Sequence, residues 1–87
     1  MYNYEQEKKI IFTETGQHLF LRIRDRVNKL LSESGAFIMA KAISEESGST
    51  WTMLACVDFL EELGEIKELT NKNVMAQNRV FISNKYL

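Results

Sequence analysis

The chain has no proline, one cysteine, one histidine and one tryptophan among its 87 residues. A lone cysteine, Cys56, excludes an intrachain disulfide and any zinc site built from paired cysteines. A lone histidine, His18, leaves no two-histidine metal site, and no Cys–His pair is evident. The four glycines, at positions 16, 35, 48 and 64, stand singly at the boundaries of expected elements, so there is no glycine-rich phosphate loop. Glu61 and Glu62 are adjacent on a helical stretch and point in different directions, so they do not make a catalytic carboxylate pair. No apolar run approaches the length of a membrane span. The opening "MYNYEQEKK" lacks the basic start and apolar core of a signal peptide. Together these absences lead us to expect a soluble cytoplasmic protein with no cofactor, no metal, no membrane partner and no enzymatic centre.

What is present is an ordinary folding composition, 45% hydrophobic and 26% charged. A chain this short buries only about 60–65% of its unfolded surface, so a partner or a second copy would add stability. The formal net charge is −1, but its distribution is uneven. Residues 1–35 carry six bases and five acids. Residues 44–68 carry seven acids against Lys67 alone, and residues 69–87 carry three bases and no acid.

Hydrophobic periodicity orders the elements. "KKIIFT" (8–13) is short, apolar and β-branched, and reads as a strand or docking arm within an N-terminal arm, residues 1–16. "QHLFLRIRDRVNKLLSES" (17–34) places Phe20, Ile23, Val27, Leu30 and Leu31 on one helical stripe, with Gly35 as its stop. "AFIM" (36–39) reads as a brief strand, and "AKAISEES" (40–47) as a short helix with Ile43 inward. After Gly48, Ser49 or Thr50 can cap a further helix. On that helix Met53, Cys56, Val57, Leu60 and Leu63 share a core arc. Trp51, Ala55, Asp58 and Glu62 lie opposite, with Leu54 and Phe59 on the flanks. "EIKEL" (65–69) and "RVFISN" (79–84) alternate as strands and read as a long hairpin.

The stretches "FIMAKAISEESGSTWTM" (37–53) and "LEELGEIKEL" (60–69) resemble the helix-turn-helix and the wing entry of winged-helix domains. The resemblance covers roughly residues 17–84. It implies an α+β fold: a three-helix winged helix-turn-helix over residues 17–87 with a C-terminal two-stranded β-hairpin wing. By that resemblance Ser49, Thr50, Trp51, Leu54, Ala55 and Asp58 form the exposed face of the recognition helix, and Lys72 and Asn73 sit in the wing.

Two functions follow from this layout. The first is a DNA-binding transcriptional regulator, a homodimer on double-stranded DNA, held by Arg22 and Arg26 of the first helix and by Lys72, Asn73 and Arg79 of the wing. The second is a protein-interaction or assembly module that uses the third helix without binding DNA. The turn motif, the basic C-terminal stretch and the family resemblance favour the first, whereas the acidic middle and the helix itself argue for the second. Base readout favours Arg, Lys, Asn or Gln, whereas its opposite arc offers a tryptophan, an alanine and two acids. Trp51 suits either a base or a protein interface, where tryptophan is enriched. For "RIRDR" (22–26) the simpler expectation is a solvated face with Asp25 paired to Lys29. Cys56, on the core arc, is expected to be a buried, inert thiol.

Overall fold

A computed structural model describes residues 1–71 and 73–84. The chain enters a helix almost at once. Asn3 is extended, and its side chain accepts a hydrogen bond from the Gln6 N–H, capping α1, Tyr4–Ile11. Glu5 and Glu7 fall in the first turn and Lys8 and Lys9 in the last, the order that suits a helix dipole. The segment expected to be a strand or arm is therefore mostly helix. Its two isoleucines cost little helical propensity, and the helix buries Ile11 completely.

After two linking residues, Phe12 and Thr13, the chain starts α2, Glu14–Ser34, three residues ahead of the expected start at Gln17. The Thr13 hydroxyl accepts from the Gly16 N–H and caps it. Gly16 permits this tight reversal: a Cβ there would lie 1.9 Å from the Ile10 carbonyl oxygen. Phe20, Ile23 and Val27 form the buried stripe of α2, with Leu30 and Leu31 packed partly against it. Gly35, with φ 76°, ends the helix in the left-handed region.

The brief strand expected after Gly35 is β1, Ala36–Ile38. The helix after it, α3, Met39–Ile43, is shorter than expected and turns Met39 and Ala42 inward, leaving Ile43 half-buried. Ser49 caps α4, Thr50–Glu62, by accepting from the Thr52 N–H. Gly64 then turns the chain into β2, Ile66–Glu68, which leads through a loop and a 3₁₀ turn at Ala76–Asn78 to β3, Val80–Ser83. β3 is central. Phe81 pairs with Phe37 of β1 on one side and with Glu68 of β2 on the other, both antiparallel. The Phe37 and Phe81 rings stack 5.2 Å apart.

The described chain is thus α+β, with four helices and a three-stranded antiparallel sheet in the order β1-β3-β2. β2 and β3 pair antiparallel, but where three helices and a two-stranded wing were expected the described chain has a fourth helix, α1, and a third strand, β1, on the other side of β3. The central helix is α4. Every residue from Thr52 to Val57 is buried, together with Leu60. Leu63, expected in the core, is 51% exposed because the helix ends at Glu62. No helix among the described residues is long and apolar enough to cross a membrane.

Candidate functional site

The face of α4 expected to be exposed carries Trp51, Ala55, Asp58 and Glu62, one helical turn apart. The N-terminal segment lies along it. The Tyr2 hydroxyl donates to Asp58 Oδ2 at 2.6 Å. Lys8 Nζ sits 2.7 Å from Glu62 Oε2. One position round the helix, the Thr52 hydroxyl donates to Glu7 Oε1 at 3.0 Å. Ala55, between Asp58 and Thr52, is 0% exposed, and Leu54 on the flank is 4% exposed. Both had been expected to face outward. They are core residues because α4 is covered by α1 as well as by α2 and α3. Phe59, on the other flank, is half-buried between Phe20 and Phe12, with ring centroids 5.2 and 5.4 Å away.

Asp58 of this face and Glu68 of β2 are tied into a network around Arg79. Its guanidinium places Nη2 2.6 Å from Asp58 Oδ1 and 2.8 Å from Glu68 Oε1, while Nε donates to Glu68 Oε2 at 2.9 Å. The Thr70 hydroxyl also donates to Glu68. The hydrogen bond from Arg79 holds the Glu68 carboxyl below its usual range against the opposing effect of burial. The same bond to Glu68 raises Arg79 further, and burial together with Asp58 raises the Tyr2 phenol. Arg79, expected as a wing base for phosphate, is therefore an internal clasp between α4, β2 and β3. A surface pocket of about 510 Å³ opens beside it, lined in part by Tyr2, Glu68, Thr70 and Arg79.

The other bases expected to contact DNA are also engaged. Arg22 reaches Glu46 at 3.1 Å, and Arg26 lies 3.4 Å from Glu45 and donates to the Lys41 carbonyl. The expected Asp25–Lys29 pair is not among the salt bridges of the described residues; both line a charged groove between α2 and the segment after α3. Arg24, which no sequence pattern singled out, clasps Glu65 through Nε and Nη2. Lys72 lies outside the described residues. Asn73 is exposed, and its backbone N–H is held by the Asn71 side chain.

What stays open on α4 is its first turn. Ser49 and Thr50 are exposed, and Trp51 is 45% exposed. Cys56 is buried, and burial, with a smaller contribution from the charge of Glu46, pushes its thiol up to about 12. Among the described residues no group of three His, Cys, Asp or Glu side chains is placed to hold a metal ion.

Tyr2, Glu7, Lys8 and Glu68 are the residues that sequence reasoning missed. The signal for the first three was present: an Asn cap, acids then bases along one helical turn each, and an apolar residue at position 11. Compared with protein-family models, curated proteins and solved structures, the chain gives no significant match.

Proposed function

We propose that the domain is of winged-helix type and works as a protein-interaction or assembly module rather than as a reader of double-stranded DNA. The winged-helix reading is supported by the order α2-β1-α3-α4-β2-β3, by the short turn between α3 and α4, and by the pairing of β1 with β3. The observation that carries the functional reading is the cover on α4. The helix that would enter a major groove has Leu54 and Ala55 buried, with Asp58 and Glu62 bonded to Tyr2 and Lys8. Arg22, Arg26 and Arg79, the bases that would have to neutralise phosphates, are each paired with carboxylates of the same chain. Freeing Arg79 from its largely buried pair would offset part of what phosphate contact contributes, whereas the exposed pairs of Arg22 and Arg26 contribute little.

The exposed Trp51 at the head of α4 is the proposed anchor. A half-exposed tryptophan on a rigid helix supplies a large contact area at little entropic cost, and such residues often dominate protein interfaces. The test is a titration of labelled random-sequence duplex DNA at low salt. A DNA reader binds non-specific duplex with Kd of about 10⁻⁴–10⁻⁶ M even at physiological salt, and more tightly at low salt. This domain is expected to show no binding in that range. Salt-dependent binding that weakens when Arg22 or Lys72 is changed to alanine would restore the regulator reading. As the sole tryptophan, Trp51 also reports partner docking directly: its emission should shift to the blue on binding a protein partner, and Trp51→Ala should remove the binding.

A further inference from the structure

We infer that α1 is exchangeable between copies of this chain, docking on the α4 of a second copy to give a domain-swapped dimer hinged at Thr13. This inference stands independently of what the domain binds. Only Phe12 and Thr13 separate α1 from α2. Phe12 already lies near helical geometry, with φ −87° and ψ 6°. Thr13, with φ −84° and ψ 164°, departs from the helix at ψ alone. Rotating that angle, with a smaller turn of the Phe12 ψ toward helical values, joins α1 and α2 into a single helix running from Tyr4 to Ser34.

The groove that α1 vacates is then filled by the same segment of another copy. Tyr2 on Asp58, Glu7 on Thr52, Lys8 on Glu62 and the buried Ile11 are contacts between elements, so each can form across two chains as it does within one. The exchange breaks local bonds at the hinge. These are Thr13 Oγ1 to the Ile10 carbonyl at 2.7 Å, the Gly16 N–H to Thr13 Oγ1, and Gln17 Nε2 to the Ile11 carbonyl at 2.6 Å. A continuous helix replaces them by pairing the N–H groups of Glu14, Thr15 and Gly16 with the carbonyls of Ile10, Ile11 and Phe12.

Gly16 distinguishes the closed from the open state. In the closed hairpin a Cβ at this position meets the Ile10 carbonyl oxygen at 1.9 Å. In a continuous helix the same Cβ points away from the backbone and alanine favours the helix. Gly16→Ala therefore penalises the closed chain and favours the open one. Thr13→Pro blocks the open state, because proline is not tolerated inside a helix; it also removes the Thr13 N–H bond to the Ile10 carbonyl and the hydroxyl cap on Gly16, so it lowers the stability of the closed chain without opening a route to exchange.

Sedimentation across a wide concentration range tests the pair. Gly16→Ala should dimerise at a concentration at least ten-fold lower than the wild type, and Thr13→Pro should remain monomeric throughout. Where the dimer forms, a Lys8→Cys chain mixed with a Glu62→Cys chain should give an inter-chain product with a short bis-maleimide, and adding Thr13→Pro to both chains should abolish it. A folded Gly16→Ala protein that stays monomeric at every concentration would overturn the inference. Should that variant not fold, the mixed cross-link with the native glycine decides: an inter-chain product at high concentration supports the exchange, and its absence overturns it.

Discussion

Replacing Leu54 by alanine asks directly which face of α4 is covered. Leu54 is 4% exposed and belongs to the core cluster that Ile11 closes from α1 and Phe20 from α2. Truncating a leucine in such a place removes transfer free energy and leaves a cavity, at a cost of about 2–5 kcal/mol. A domain of this length has a total stability of about 4–13 kcal/mol, so the loss is a large fraction of the whole. Each kcal/mol lowers the midpoint of a domain this size by about 4–8 °C, and even the lower bound should shift thermal unfolding by about 10 °C. On an open recognition face the same change would fall within about 0.5 kcal/mol, helped by alanine's helical propensity. Circular dichroism at 222 nm, followed through heating, measures the difference. Trp51→Ala is the internal control, because that side chain is 45% exposed and should leave the midpoint almost in place. A Leu54→Ala midpoint within a degree or two of wild type would refute the burial of this face and reopen α4 as a reading helix.

Two further outcomes follow from the titrating groups. Glu68 is held below the usual carboxylate range by Arg79, so its contribution to stability is present above about pH 4.3 and is lost as pH falls through the lowered value. The stability gap between wild type and Glu68→Gln should therefore be widest near neutrality and shrink toward pH 3; a gap that does not change with pH would remove the clasp from the account. The Cys56 thiol, buried and raised to about 12, should react with a disulfide reagent only at the rate of unfolding. Labelling at the speed of a free thiol in the native protein would contradict its place in the core.

The sequence was most legible where one face of an element meets one partner. The α2 stripe, the Ser49 cap, the brief β1 and the alternating strands of the hairpin all follow from period and punctuation. It was least legible at α4, whose run "TMLACV" is apolar on nearly every side. A helix that is apolar all round is buried all round, but dividing it into one core arc and one outer arc presumes a single covering layer. The second layer, α1, was hidden because "KKIIFT" resembles a strand when read without the Asn cap and the acids ahead of it. The ion pairs were hidden for a different reason. Arg24 meets Glu65 and Arg79 meets Asp58 across distant parts of the chain, and charge counted by segment cannot show which charges have found one another. The net −6 of residues 44–68 is thus largely neutralised on folding by bases from outside that segment.

The sheet carries one more consequence, for the order in which the chain becomes a fold. β3 lies between β1 and β2, yet it is synthesised after both. Ala36 waits for Ile82 before its strand has a neighbour, and Ile66 waits for Ser83. Until then β1 and β2 are two separate ribbons with open edges, each only three residues long. Such short edges are poor templates for pairing with other chains. Neither ladder can form before β3 is made, because that single strand completes both of them.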